Sequence, residues 1–422
     1  MVCVNLVARY FSKAKGHINM KKKLLHTPEG VRDIYNEECA KKLHLQQTIH
    51  ETLKSYGYED IQTPTFEFFD IFSKEHGSVA SNNMYKFFDR EGYTLVLRPD
   101  MTPAVARAVS KYYMDEEMPV RFCYMGNTFI NHAEHQGKLK EITQIGAELV
   151  GDNKSDADAE VISMTIDALL KCGLEEFRLD IGHVDYFHGL MEAAGLDDEQ
   201  SDELMTLLEN KNFFGVEALI TSCNVPDTVK EIFAKLPELG GSVEVLSKAR
   251  ALFTNEKMNK AIDRLEKVYK ILEYYGFEKY VSFDLGTIAN FDYYTGTIFK
   301  VYTYGTGNPI ARGGRYDNLL SQFGKKAPSI GFAIDLDQLL IVLNRQKIDV
   351  DASVPKTLII YDKDQTAEAV KQSYMSRDHG IPAVTMRKSS RMDMDAYEEY
   401  CKKFNFDTLV YITGGDIIRK EF

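Results

Sequence analysis

The sequence predicts an α+β fold: an antiparallel sheet flanked by helices, with a helical insertion and a small C-terminal α/β domain. Three observations carry this prediction. Extended segments with alternating apolar side chains follow one another through short connections, which is typical of antiparallel strands. Residues 186–275 repeat apolar side chains every three or four positions, as amphipathic helices do. Beyond residue 355, short strand and helix patterns alternate, which indicates a separate α/β unit.

The first elements run from an N-terminal helix to a pair of long strands. A helical pattern covers residues 36–56 and ends at Gly57, and the strand patterns YKFFD and YTLVLR are joined by a turn at 89–92. Thr102 followed by Pro103 is typical of a helix start, with Thr102 as the cap. We expect VRFCYMGNTFI and LKEITQIGAELVG to be neighbouring antiparallel strands because their connection is short.

The next helix, SDADAEVISMTIDALLKCG, begins with acidic residues that resemble a set of metal ligands: Asp156, Asp158 and Glu160. A capping box of Ser155 with Asp158, at the positive end of the helix dipole, explains them more simply. Strands follow in FRLDIGHV before the insertion and in YVSFDLG and GTIFKVYTYG after it. The segment SIGFAIDLDQLLIVLNR is predicted as a strand that leads into a helix.

These elements divide the chain into domains. Residues 24–344 form the predicted core, with the helical insertion at about 186–275. The polar segment RQKIDVDASVP, residues 345–355, is the predicted linker, and residues 356–422 form the small α/β domain.

The N-terminal segment, residues 1–23, is basic and lacks acidic residues, a composition that is typical of targeting leaders. Its apolar run is too short for a membrane span, and it lacks a small-residue cleavage site. We therefore expect a disordered leader, with either Met1 or Met20 as the start of the protein.

Composition excludes several classes of protein. The formal net charge of −12 argues against a broad nucleic-acid-binding surface. No segment is long and apolar enough to cross a bilayer, and the six cysteines lack a Cys-x-x-Cys pair. We expect a cytoplasmic protein with reduced thiols that uses no metal and no cofactor and binds neither nucleic acid nor membrane.

Polar side chains occur in a strand that should be buried. In ITQIGAELVG, the alternation of faces puts Ile142, Gln144, Gly146 and Glu148 on one side. A glutamine and a glutamate that flank a glycine would form a polar floor with room above it. The alternative is the solvated face of an antiparallel sheet, and this strand alone does not decide between the two.

Three other segments add polar groups. LRPDMTP places Arg98, Asp100 and Thr102 at a strand end, where a helix cap and a salt bridge are the alternative. ANFDYYTG and RGGRYDNL add carboxylates and phenols, where aromatic packing and an ion pair between Arg315 and Asp317 are the alternatives. Together these segments indicate a pocket for an ammonium group and a ring with N–H donors. The residues concerned in the last two segments are Asp292, Tyr293, Tyr294, Arg315, Tyr316 and Asp317.

The chain resembles the catalytic core of histidyl-tRNA synthetase through six motifs in the same order: PEGVRDI, LRPDMTP, TQIGAELVG, FDYYTGTIF, GGRYDNL and SIGFAIDL. The resemblance covers residues 27–343, and this combination of motifs is highly specific. It implies a class II aminoacyl-tRNA synthetase-like fold, in a protein that is usually dimeric.

The resemblance also implies a histidine-binding pocket. The family holds bound histidine with an acidic residue, a threonine, a glutamine, a glutamate and two tyrosines around the imidazole. The matching residues here are Asp100, Thr102, Gln144, Glu148, Tyr294 and Tyr316, and Tyr293 completes the predicted ligand-binding set.

The arginines that act on ATP in this family are missing. Ile130 follows Phe129 in place of the arginine that grips the ATP phosphate, and His132 stands in place of a glutamate. Ala289 and Gln338 stand in place of the family's catalytic arginine and its motif 3 arginine. Loss of one such donor costs about 2.7–4 kcal/mol of transition-state stabilisation, so we expect amino-acid activation to be absent.

A histidine pocket without ATP-binding arginines resembles the histidyl-tRNA synthetase-like regulatory subunits of ATP phosphoribosyltransferase. This resemblance implies a non-catalytic chain that binds histidine for feedback control of the first step of histidine biosynthesis. Its partner would be the short form of the catalytic subunit, with this chain as a homodimer within a hetero-oligomer. The alternatives are an active histidyl-tRNA synthetase and a histidine sensor that acts on another partner. For the ligand carboxylate, Arg98 and a main-chain N–H both remain possible.

Overall fold

The fold is taken from a computed structural model. It describes residues 25–73, 79–132, 138–210, 212–286 and 294–422. The chain divides into two compact units, one that ends at Val350 and one that spans Asp351–Phe422. A helix continues to Gln346, so the first two residues of the predicted 345–355 linker are helical. In the described part of the chain, no helix combines the length and the apolar character needed to cross a lipid bilayer.

The described residues form the following elements. The helices are α1 (Asn36–Ser55), α2 (Asp70–Ser73), α3 (Thr102–Tyr112), α4 (Ser155–Lys171), α5 (Val184–Ala194), α6 (Asp198–Glu209), α7 (Phe213–Ser222), α8 (Asp227–Lys235), α9 (Glu244–Leu252), α10 (Glu256–Tyr275), α11 (Leu336–Gln346), α12 (Thr366–Asp378) and α13 (Met394–Lys403). The strands are β1 (Glu59–Asp60), β2 (Phe66–Phe68), β3 (Lys86–Phe88), β4 (Thr94–Leu97), β5 (Val120–Phe129), β6 (Glu141–Val150), β7 (Arg178–His183), β8 (Gly240–Gly241), β9 (Val281–Asp284), β10 (Thr297–Tyr302), β11 (Ala311–Arg315), β12 (Ser329–Asp335), β13 (Thr357–Tyr361), β14 (Ala383–Arg387), β15 (Thr408–Thr413) and β16 (Asp416–Glu421).

The first unit is built on a nine-stranded sheet in the order β1-β5-β6-β12-β11-β10-β7-β9-β8. Neighbouring strands are antiparallel except for β1 with β5 and β7 with β9. The long strands β5 and β6 pair from Val120 with Val150 to Phe129 with Glu141. The predicted antiparallel sheet is confirmed. A separate three-stranded antiparallel sheet has the order β2-β4-β3.

One face of the large sheet is covered by α1 and α4. Ile145, Ala147 and Leu149 of β6 point to this face and are fully buried in one cluster with Ile49 of α1 and Ile162 of α4. Burial of each isoleucine or leucine side chain in this cluster stabilises the fold by about 1.5–3 kcal/mol. Because strand residues alternate, the other residues of β6 face the opposite side of the sheet.

Helix α3 packs on that opposite face. It begins at Thr102, with a proline in its first turn, and its apolar residues Val105 and Val109 join a buried cluster with Phe122 and Tyr316. Helix α3 therefore covers part of this face of the sheet.

The helical insertion lies between β7 and β9 in the chain and contains helices α5 to α10. Its last helix, α10, is capped by the Asn255 side chain, which accepts from the Met258 N–H at 2.9 Å. The helix ends at Gly276, which has a left-handed conformation (φ 74°) that glycine adopts without strain.

Asp158 is a buried ion-pair centre and not a helix cap. It is fully buried and accepts from Arg315 Nη2 at 2.5 Å and from Arg264 Nε at 2.6 Å. Helix α4 begins at Ser155 with no side-chain cap hydrogen bond. The predicted capping box is therefore wrong, because two arginines from distant elements neutralise this carboxylate.

The second unit is a four-stranded sheet in the order β14-β13-β15-β16. Strand β13 is parallel to both of its neighbours, and β16 is antiparallel to β15. Buried clusters that include Tyr397 and Ile359 form its two small cores. The predicted small α/β domain is confirmed. The sequence analysis missed β16 because all of its residues are exposed and leave no burial pattern.

Candidate functional site

The centre of the candidate site is Glu148, on the face of β6 opposite the main core. Gln144, Gly146 and Glu148 share this face, as the alternation predicts. Glu148 is 1% exposed, so the alternative of a solvated sheet face does not hold for it.

Three hydroxyl groups surround the Glu148 carboxylate. Tyr316 donates to Oε2 at 2.5 Å, and Thr102 and Tyr124 donate to Oε1 at 2.8 Å and 3.2 Å. Thr102 is the first residue of α3, and no side-chain hydrogen bond caps that helix, so its predicted cap role is wrong. A buried carboxylate is costly unless it is hydrogen-bonded, and these donors hold it in one position.

The environment of Glu148 raises its pKa to about 8. Burial is the main cause, since it disfavours the charged form, and the nearby Asp100 carboxylate raises the pKa further. Hydrogen bonds from Tyr316, Thr102 and Tyr124 lower it and offset part of the shift. A cation bound next to Glu148 would favour its ionised form.

Two glycines leave room on this face. Gly331 of β12 pairs with Glu148, and a Cβ at that position would lie 1.6 Å from Glu148 Oε2. On the next strand, a Cβ on Gly314 would lie 2.8 Å from Cε1 of Tyr294. Any larger residue would therefore displace the carboxylate or the ring.

A cavity of about 100 Å³ is lined by Thr102 and Tyr316, which donate to Glu148, although Glu148 itself is not part of the lining. A single water needs roughly 10–15 Å³ by the same measure, so the cavity can hold one small molecule. Five residues of the predicted ligand-binding set line it: Asp100, Thr102, Gln144, Tyr294 and Tyr316. The buried Oε1 of Gln144 has no hydrogen-bond partner among the described residues, although such atoms nearly always have one.

The remaining predicted positions divide into two groups. Tyr293 and Ala289 lie in residues 287–293, outside the described residues. Ile130 lines the cavity, and Gln338 lies in the first turn of α11, where its N–H donates to Asp335 at 3.0 Å. Its side-chain Oε1 accepts from Thr306 at 3.3 Å. Neither Ile130 nor Gln338 offers a positive charge.

Arg98 fixes the backbone beside the cavity and does not line it. Its Nε donates to the Asn127 carbonyl at 2.8 Å and its Nη1 to the Thr63 carbonyl at 2.8 Å. Burial lowers the pKa of this guanidinium, which is 6% exposed. These contacts with backbone carbonyls, outside the lining of the cavity, argue against the alternative in which Arg98 binds the ligand carboxylate.

Sequence reasoning missed three polar residues of the site: Tyr124, Arg312 and Asp335. Tyr124 and Arg312 lie in one row across the sheet, because Gly146 pairs with Tyr124 and Ala333, and Ala333 pairs with Arg312. Asp335 lines the cavity, and burial raises its pKa to about 6. Strand alternation could have placed Arg312 on the face of Gly314, but only the sheet order shows that this face reaches Glu148.

One group of side chains has the spacing of metal ligands. Among the described residues, the ligand atoms of His50, Asp60 and Cys123 lie within 4.8 Å of one another. The Lys54 ammonium lies 3.2 Å from Asp60, and burial raises the pKa of the Cys123 thiol to about 12. Because a metal needs a thiolate and a free carboxylate, this group is poorly suited to bind one.

Comparison with known proteins shows the family to which the chain belongs. The family model for histidyl-tRNA synthetase matches residues 30–339. The ATP phosphoribosyltransferase regulatory subunit of Acetivibrio thermocellus is 40% identical over 357 residues, which are 85% of this chain and 85% of that protein. The regulatory subunit of Ruminiclostridium cellulolyticum is 37% identical over 396 residues, which are 93% and 94% of the two chains.

Solved structures show the same relationship. A structure described as an ATP phosphoribosyltransferase regulatory subunit/histidyl-tRNA synthetase from Bacillus halodurans has a TM-score of 0.83 and 33% identity, and the match covers 92% of this chain and 98% of that one. Histidyl-tRNA synthetase from Nostoc, at 19% identity and a TM-score of 0.78 over 94% of this chain and 96% of that one, shares the fold. The chain belongs to the histidyl-tRNA synthetase-like family of ATP phosphoribosyltransferase regulatory subunits.

Proposed function

We propose that the chain is a non-catalytic regulatory subunit of ATP phosphoribosyltransferase that binds histidine in the cavity beside Glu148. The observation that carries this proposal is the buried Glu148 carboxylate, held by three hydroxyls, two of which belong to residues that line a small cavity. The names of the relatives support the regulatory role. The matched motifs of the synthetase family support histidine as the ligand.

Histidine has the groups that this cavity can recognise. Its ammonium carries three donors, and its imidazole offers an N–H. Asp100 and Glu148 are the acceptors. Gln144 adds its Oε1 atom, to which no described residue donates a hydrogen bond. The rings of Tyr294 and Tyr316 provide flat surfaces for the imidazole.

The site is not suited to activate an amino acid with ATP. Transfer of an adenylyl group needs positive charge against the triphosphate, and Ile130 and Gln338 provide none. Asp335 places a further carboxylate in the cavity. The purified chain should therefore give no histidine-dependent ATP–pyrophosphate exchange, and robust exchange would identify it as an active synthetase.

Regulation requires that histidine binding be coupled to the catalytic partner. Feedback needs a difference in histidine affinity between two states of the complex, typically worth about 1–3 kcal/mol. The partner is the short form of the catalytic subunit, and the chain acts as a homodimer within the hetero-oligomer. Purification of the chain from the native cell tests this directly. The catalytic subunit should co-purify with the chain, and co-purification of a different protein in its place would contradict the proposed partner.

The test of function uses the reconstituted complex. In the wild-type complex, histidine should inhibit ATP phosphoribosyltransferase activity, and Glu148→Ala should relax this inhibition while the complex still assembles. Glu148→Gln keeps the size of the side chain and serves as a second variant. Glu256→Ala, on the exposed surface of α10, is the control and should leave inhibition unchanged. Unchanged inhibition in both Glu148 variants would contradict the assigned site.

A further inference from the structure

We infer that Arg312 binds the carboxylate of the amino-acid ligand, an inference that rests on the proposed histidine site. Arg312 is the only basic residue among the described residues that line the cavity. Across the described part of the chain, its guanidinium has no hydrogen-bond or ion-pair partner within reach. A planar guanidinium matches a carboxylate through two parallel hydrogen bonds.

The sheet places Arg312 opposite the acidic end of the cavity. Arg312 pairs with Ala333, which pairs with Gly146 of β6, so Arg312 shares the face of Glu148. Arg312 lies two strands from β6, at the level of Gly146, which is two residues from Glu148 along that strand. These two offsets put the Cα atoms of Arg312 and Glu148 roughly 12 Å apart. Ala333, which lies between Arg312 and Gly146, carries only a methyl group, and the Tyr124 hydroxyl of the same row lies over Gly146.

The charged side chains around the cavity suit an amino acid whose ammonium and carboxylate groups lie at opposite ends of the cavity. Asp100 and Glu148 interact, since the charge of Asp100 raises the pKa of Glu148, and this end favours an ammonium. At the other end, burial raises the pKa of Asp335 to about 6, and the nearby charge of Arg312 offsets part of this shift, although no ion pair forms between the two side chains. The guanidinium is thus near the cavity but is not held by a carboxylate.

The alternative partner for Arg312 is a phosphate group. Two carboxylates, Asp100 and Asp335, line the same cavity, and a third, Glu148, lies beside it. A phosphate with two negative charges would be repelled by them, while one guanidinium is the only described cation in the lining. A carboxylate with a single charge, attached to a cationic group, suits the site better.

Arg312 also supplies a group for the ligand carboxylate, for which the sequence left more than one alternative open. The synthetase arginine that falls on Ala289 is absent, and Arg98 is bound to backbone carbonyls. Arg312 directly precedes the GGRYDNL motif, on β11 of the nine-stranded sheet. It is therefore a candidate for the carboxylate group at a position that neither of these two residues occupies.

Calorimetric titration with paired ligands tests this inference. Histidine is compared with histamine, which lacks the carboxylate, on the wild-type chain and on Arg312→Ala and Arg312→Lys. Arg312→Ala should weaken histidine binding about 10–100-fold and leave histamine binding within about twofold, because one charged hydrogen-bonding group is lost. Arg312→Lys should restore part of the histidine affinity. Arg419→Ala, on the exposed strand β16, is the control and should change neither affinity.

The outcomes separate this inference from the proposed function. If the wild-type chain binds histidine, and Arg312→Ala weakens both ligands equally or weakens neither, the assignment of Arg312 is wrong while the histidine site stands. If the wild-type chain binds neither ligand, both proposals fail. Inorganic phosphate that competes with histidine only when Arg312 is present would assign the residue to phosphate and overturn the carboxylate assignment.

Discussion

The Tyr316 hydroxyl donates a 2.5 Å hydrogen bond to Oε2 of Glu148, and the two side chains are 2% and 1% exposed. This contact joins the residue after β11 to the C-terminal part of β6, two positions separated by 168 residues in the chain. It stabilises a buried carboxylate and fixes a ring at the edge of the cavity.

Removal of the Tyr316 hydroxyl should weaken histidine binding. Tyr316→Phe leaves Glu148 with two hydroxyl donors, raises the pKa of its carboxyl further and reduces the ionised fraction that a cation needs. We expect a roughly 5–30-fold loss of histidine affinity in calorimetry and a loss of about 1–3 kcal/mol in the free energy of unfolding.

The chain offers a matched control for this variant. Tyr186 is equally buried, but its hydroxyl has no hydrogen-bond partner in the described part of the chain. Tyr186→Phe should therefore bind histidine like the wild type and be at least as stable. Equal behaviour of the two variants would show that the Tyr316–Glu148 contact does not matter.

Histidine affinity should rise with pH between about 7 and 8. In the free chain, Glu148 has a pKa of about 8 and is largely protonated at pH 7. Binding of a cationic ligand favours the ionised form, so the proton must leave, and affinity increases as pH approaches 8. Calorimetry in two buffers of different ionisation enthalpy at pH 7 measures the protons released.

The pH effect has its own control. In Glu148→Gln the group no longer titrates, so the remaining affinity should be flat between pH 7 and 8. Proton uptake on binding by the wild-type chain, or affinity that falls over this interval, would contradict the role of Glu148 as the acceptor for the cation.

A methyl group at Gly331 should disable the site. Gly331→Ala puts a Cβ where Glu148 Oε2 lies, so the carboxylate must move and lose hydrogen bonds. We expect at least a tenfold loss of histidine affinity and a loss of stability of about 1–3 kcal/mol, measured by calorimetry and by denaturant unfolding. Gly307→Ala is the control, since no atom lies within 4 Å of a Cβ there. Wild-type affinity in Gly331→Ala would mean that Glu148 is not placed as described.

The Asp158 ion-pair centre should matter for stability. Asp158→Asn removes the nearer of the two carboxylates that contact Arg315, which is 2% exposed, and loss of one partner of a buried pair costs about 3–5 kcal/mol. Denaturant unfolding measures the loss. Glu256→Gln, in an exposed pair with Lys260, should have little effect. A change of less than about 1 kcal/mol in Asp158→Asn would contradict this interpretation.

The sequence predicted the elements that depend on local pattern. Strand alternation placed Gln144 and Glu148 on one face, and helical spacing identified the insertion. Burial of Glu148 could not be predicted from its own strand, because it depends on Thr102, Tyr124 and Tyr316, which come from three other segments.

The errors have the same physical origin. Asp158 was interpreted through its neighbours in the helix, while its true partners, Arg264 and Arg315, lie 106 and 157 positions away. Arg312 was overlooked because its place in the cavity follows from the order of β6, β12 and β11. Long-range pairing of charges leaves no periodic signal in a single sequence.

Calorimetric titration of histidine into the purified chain, with Glu148→Ala measured beside it, decides whether histidine binds at Glu148. We expect saturable binding at one site per wild-type chain and affinity at least about tenfold weaker in the variant. No saturable binding to the wild-type chain, or equal affinity in the two proteins, would contradict this expectation.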